Sequence, residues 1–127
     1  MPSIPVSHMD TVAVIGSRGF SDLAAVRNFV FNLPKNVVLV SGGALGVDQA
    51  AENAARAVRL SRWIFEPAVD SRVSSDVYIQ ALFDRNVRIV EHADRVVAFH
   101  DGVSKGTRRA IDYAIKLGIP CEIRSPR

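Results

Sequence analysis

From Thr11 onward the chain alternates short, nearly continuous apolar runs with segments whose apolar residues recur at helical spacing. TVAVIG (Thr11 to Gly16), NVVLVSG (Asn36 to Gly42), RWIFEP (Arg62 to Pro67), DRVVAFH (Asp94 to His100) and PCEI (Pro120 to Ile123) are the strand candidates. Their unbroken apolar character suits strands covered on both faces, as in parallel sheets. Between them, Val47, Ala50, Ala51, Ala54, Ala55 and Val58 draw one stripe along a helix. Leu23, Val26, Val30 and Leu33 make another before Pro34, and Ala110, Ile111, Ala114 and Ile115 a third, with Gly118 placed to end it. Ser74 to Ala93 is long for one helix; Tyr78, Ala81, Leu82, Arg85 and Ile89 share a side, and a break near Asn86 is expected. This alternation predicts an α/β fold: a three-layer, Rossmann-like, doubly wound parallel sheet of about five strands in order 3-2-1-4-5.

The 127 residues make one domain, expected over residues 11–127, and the first ten, with two prolines and no periodicity, read as a flexible arm. The single cysteine, Cys121, excludes an internal disulfide. No leader and no apolar run of membrane-spanning length stands out, so a cytoplasmic setting without membrane contact is expected. The formal net charge is +3, with arginine preferred over lysine, which favours anionic partners. No long run of like charge forms a nucleic-acid-binding tail.

In a sheet of this order the loops after the first, second and fourth strands open on one crevice beside the reversal of strand order. All three are rich in glycine. GSRGFSD (Gly16 to Asp22) turns from strand to helix around Ser17 and Arg18, offering backbone N–H groups to an anion. SGGALGVD follows, where Ser41, Gly42, Gly43 and Gly46 let a ligand approach the main chain at a helix start. Asp48 in that first turn either caps N–H groups or accepts from ribose hydroxyls. In HDGVSKGTRRA, Asp101, Gly102, Ser104, Lys105, Gly106 and Thr107 describe a further anion cradle. None of these loops is a dinucleotide fingerprint or a P-loop. They predict a phosphate-bearing ligand, with no metal cluster and no resident cofactor. His100 is the one histidine placed near the site, against the plainer reading of a strand-end residue.

AVIGSRGFSD, VVLVSGGALGVDQAAENAA, the Arg85-Asn86 pair and ADRVVAFHDGVSKGTRRAIDYAIKLGIP resemble the SLOG superfamily of Rossmann-like domains, in particular its small YspA-type branch. The superfamily also includes the lonely-guy phosphoribohydrolases and DNA-processing protein A. The resemblance implies a nucleotide or nucleotide-derived ligand surrounded by Gly16, Ser17, Arg18, Ser41, Gly42, Gly43, Gly46, Asp48, Gly106 and Thr107. Arg85 and Asn86 would close the site, and a homodimer or higher homo-oligomer is expected. One departure matters. The hydrolases carry a glutamate three residues after the threonine of their Gly-Thr pair, where this chain has Ala110. Cleavage of an N-glycosidic bond calls for a carboxylate near the anomeric carbon.

The leading expectation is therefore a nucleotide-binding sensor or carrier without strong catalysis. A phosphoribohydrolase using Asp48 or Asp101 in place of the glutamate is the alternative. Single-stranded nucleic-acid binding is a further one, less favoured because Trp63, Phe65 and Phe99 fall in predicted strands, leaving Phe20 as the only aromatic in a site loop.

Overall fold

A computed structural model describes residues 10–126. The arm predicted over the first ten residues lies outside them except for Asp10, which opens the first strand. The order of elements is β1 (Asp10–Gly16), α1 (Leu23–Phe31), β2 (Val37–Ser41), α2 (Val47–Ala57), β3 (Ser61–Ile64), α3 (Ser75–Glu91), β4 (Arg95–Phe99), α4 (Lys105–Leu117) and β5 (Cys121–Arg124). The five strands are parallel in order β3-β2-β1-β4-β5, the predicted topology.

Alternate residues of each central strand feed two separate cores, as a strand's period of two requires. Val12 and Val14 of β1, Leu39 of β2 and Val97 and Phe99 of β4 pack with Val26 and Val30 of α1 and the apolar stripe of α2. Ala13, Ile15, Val40, Val96 and Ala98 face the other way, onto Ile89 and Val90 of α3 and Ala110, Ile111 and Ala114 of α4. The alanines of α2 and α4 allow these helices to lie close against the sheet.

Helix starts follow local chemistry: the side chains of Asp22, Ser74 and Ser104 accept hydrogen bonds from the N–H groups of Ala25, Val77 and Thr107. Gly118 ends α4 in the left-handed conformation.

Three expectations are corrected. α3 runs unbroken through Asn86, whose side-chain oxygen accepts a hydrogen bond from Arg85 Nε at 2.8 Å. Ile115 is exposed, because α4 lies over the β5 edge and the stripe's outer member has no sheet beneath it. Phe65 lies half-buried just past β3, and Trp63 is 45% exposed on that edge strand, so of the three aromatics placed in strands only Phe99, in β4, is fully hidden.

Gly16 ends β1 with its Cα against α2: a Cβ there would lie 2.6 Å from the Val47 side chain. Gly16→Ala is expected to lower stability by about 1–3 kcal/mol through overpacking. Val47→Ala keeps the Val47 Cβ, itself 2.6 Å from that position, so adding it should recover little of the loss in urea denaturation.

Candidate functional site

The three glycine loops converge. At the carboxyl end of the sheet a cleft of about 490 Å³ is lined by Gly16 and Arg18 from the β1 loop, Gly42 and Gly43 from the β2 loop, and Ser104, Gly106 and Thr107 at the start of α4. Arg85 and Asn86 reach it from α3. Ala44, Leu45, Pro67, Ser71, Tyr78 and Leu82 complete the lining and were not foreseen. Pro67 and Ser71 come from the aperiodic stretch after β3, which carries no sequence signal of its own. Tyr78 and Leu82 lie on the predicted stripe of α3, two turns and one turn before Arg85, and that spacing is the available clue. A larger hollow of about 660 Å³ on the outer side of α1 collects only Asp22 of the glycine-loop residues; Arg95 and Arg124 there lie over the Phe29 ring.

The remaining expected residues build walls. Ser17 is buried and fastens the β1 loop to the β4 loop: its hydroxyl donates to Thr107 Oγ1 at 3.4 Å and accepts from the Asp101 N–H at 3.2 Å. Ser41 donates to Glu52 Oε2 at 2.6 Å, and the same oxygen accepts from the Gly43 N–H at 2.9 Å. Glu52 is therefore an organiser of the β2 loop that the sequence reading missed; its position one turn after Asp48 was the signal. Gly46 has φ +85°, and a Cβ there would lie 2.9 Å from the Arg18 carbonyl oxygen, so this glycine joins two loops by close backbone approach. Gly102 also has positive φ, at +91°, but is open to solvent.

Asp48 and Asp101 were the carboxylates expected to reach the cavity, and neither lines it. Asp48 is buried and accepts from the Ala44 N–H at 3.2 Å, which braces the β2 loop; the start of α2 carries no side-chain cap bond. Asp101 accepts from the N–H groups of Val103 and Ser104 at 2.9 and 2.8 Å, and these bonds hold its carboxyl below the usual range. Ala110, where the hydrolases carry glutamate, is buried in the core. Phe20 is buried edge-on to Phe99 with ring centres 5.5 Å apart, so it does not serve as a stacking platform. His100 is 6% exposed, its Nε2 3.0 Å from the Ser104 carbonyl oxygen, which fits the strand-end reading.

Arg85 dominates the electrostatics. It is 6% exposed, donates from Nη1 to the Gly42 carbonyl oxygen and from Nε to Asn86, and makes no ion pair with any described residue. Gly42 is glycine because the guanidinium occupies the space a Cβ would need. Burial lowers the Arg85 pKa and raises that of Asp48 to about 6, in each case outweighing their mutual attraction. No carboxylate lines the cleft among the described residues. No group of acidic, histidine or cysteine side chains among them could hold a metal ion, and no helix there is long and apolar enough to cross a membrane.

Fold and loops together define a Rossmann-like domain with a cleft at its switch point that no described carboxylate lines. The family model described as DNA recombination-mediator protein A matches residues 3–62. DNA processing protein A (DprA) from Streptococcus pneumoniae superposes with a TM-score of 0.76 at 20% identity, covering 91% of this chain and 50% of that one. DprA from Helicobacter pylori, whose structure is described as showing a single-stranded DNA binding mode, gives 0.70 at 20% identity, covering 96% and 68%. This chain thus spans half the length of the streptococcal protein. No curated protein matches by sequence. The chain is similar to the SLOG superfamily on its DNA-processing side, the branch these comparisons match.

Asp48 makes a pH dependence. A carboxyl whose folded pKa stands near 6, above its ordinary 3.8, binds protons more readily in the folded than in the unfolded chain. Its contribution to stability therefore falls as pH rises from about 4 to about 6 and is constant above that. Asp48→Asn, which keeps an acceptor for Ala44 N–H, should remove this dependence and gain on the order of 2–3 kcal/mol at pH 7. Urea unfolding of both proteins at several pH values checks it; parallel curves would refute the assignment.

Proposed function

We propose that the domain binds a nucleotide unit in the cleft, with its phosphate between Arg85, Arg18 and the amide groups at the start of α4. The observation that carries this reading is Arg85, nine-tenths buried, facing an acid-free cavity and lacking an ion-pair partner among the described residues. Burying a cation without an ion-pair partner is unfavourable where, as here, Asp48 and Glu52 act on it only through space, and an anion from outside would relieve it. Arg18 is exposed at the mouth, likewise with no side-chain partner among the described residues.

Gly106 adds a second argument. It lies in the first turn of α4 with ordinary helical backbone, and a Cβ built on it meets nothing within 4 Å. Nothing inside the protein calls for glycine there, although glycine costs a helix about 0.5–1 kcal/mol relative to alanine. Bare backbone at the cleft wall suits a ligand that approaches closely.

The family match and the description of the Helicobacter protein favour a nucleotide within single-stranded DNA over a free one. The exposed Trp63 edge removes one objection to that partner. A sensor or carrier of free nucleotides is the second reading, favoured by a volume of about 490 Å³, within the range of small-ligand clefts. A cytoplasmic setting and homo-oligomeric assembly are part of the proposal. The hydrolase alternative gains no support from Asp48 or Asp101, whose oxygens are bonded to backbone N–H groups within their own loops.

Gly106→Ala should fold at least as stably as the parent yet bind thymidine monophosphate and (dT)12 at least tenfold more weakly. Arg18→Ala should weaken both about tenfold with an unchanged melting temperature. Anisotropy and thermal melts measure this. Undiminished binding in both variants would remove the cleft as the site. A strand ligand shows as (dT)12 binding more tightly than the monophosphate, and a free nucleotide as equal affinity.

A further inference from the structure

The α4 start carries a second surface that the cleft does not use. A groove of about 420 Å³ is lined by His100, Val103, Ser104, Lys105, Arg108 and Arg109, and contains no carboxylate lining residue. Ser104 lines both this groove and the cleft, so the two meet across a single residue. Lys105 and Arg108 are exposed; Lys105 has no side-chain partner among the described residues, and Arg108 shares only an i,i+4 pair with Asp112 at 3.5 Å. Such an exposed pair is weak and screened, leaving the guanidinium available. The Arg109 guanidinium sits 3.8 Å from the Phe83 ring centre, which fixes its position on the α3 side. The neighbouring acid, Asp101, is bonded to the Val103 and Ser104 N–H groups.

The geometry points to this groove as the exit track of a single strand: one nucleotide occupies the cleft, and the following phosphodiesters cross Ser104 and run over Lys105 and Arg108. This rests on the cleft reading above and adds to it the path of the strand beyond the cleft. Lys105 and Arg108, opposed only by the screened Asp112 carboxylate, suit a continuous polyanion, and flexible lysine and arginine side chains follow a backbone without reading its sequence. The apolar Val103, 80% exposed at the groove rim, offers a face to an unstacked base.

The test uses Lys105→Gln/Arg108→Gln, both exposed, and keeps Arg109, whose ring contact makes it part of the packing. Binding of thymidine monophosphate and (dT)12 is measured by anisotropy across salt concentrations. The double variant should lose at least tenfold affinity for (dT)12, and its log K against log salt slope should become shallower by about 1.4, two phosphates at about 0.7 each for single strands. Its affinity for the monophosphate and its melting temperature should not change. Unchanged (dT)12 binding and slope would overturn the track while leaving the cleft intact, provided Gly106→Ala still weakens both ligands. Loss of (dT)12 in the double variant with full retention in Gly106→Ala would overturn the path through the cleft, because the strand would then lie on the groove alone.

Discussion

The contact between the Arg85 guanidinium and the Gly42 carbonyl is the constraint around which the cleft is organised. A charged group buried to this extent is tolerated only where polar partners replace water. Here they are one carbonyl and one amide side chain, with Asp48 and Glu52 close enough to act through space but not to pair. That arrangement fixes Gly42 as glycine, sets the distance between α3 and the end of β2, and leaves the remaining face of the guanidinium toward the cavity. The loss of proton affinity at Arg85 and the gain at Asp48 are two consequences of the same burial.

The glycines of the three loops divide by what lies beside them. Gly16, Gly42 and Gly46 are required by the protein itself, because Val47, Arg85 and the Arg18 carbonyl occupy the positions a side chain would take. Gly43 needs its positive φ of +74°. Gly106 has no such reason. Sequence spacing treats all five alike, and only the packing around each separates a glycine that lets helices meet from one that leaves backbone open to a ligand.

That distinction explains how much was legible in the chain. Strand order and helix placement followed from β-branched runs and apolar stripes, because burial on two faces imposes those patterns. The convergence of Arg18, Gly43, Arg85, Asn86 and Thr107 on one cavity followed from the topology together with the family resemblance. What stayed hidden depended on partners distant in sequence. Glu52 reads as a surface residue of α2 until Ser41 and Gly43 are seen to donate to it. Asn86 reads as a helix breaker until Arg85 is seen to bond its side chain. Ile115 reads as core until the sheet is seen to end at β5.

The same local bonds sort charge across the site. Asp48, Glu52 and Asp101 each accept a backbone N–H of the loop they support, and none of them lines the cleft. Their negative charge is thereby spent on loop geometry and withheld from the cavity. Arg18, Arg85 and Lys105 accept nothing from the backbone, since their head groups only donate, and they are left on the open side. A potential favourable to anions thus arises without any large excess of basic residues, which is why a net charge of only +3 is compatible with a phosphate-directed face. Any carboxylate that performed chemistry on a bound nucleotide would have to leave its N–H partners first, loosening the loop that positions the ligand. Binding and loop integrity are coupled in this architecture through those few acids.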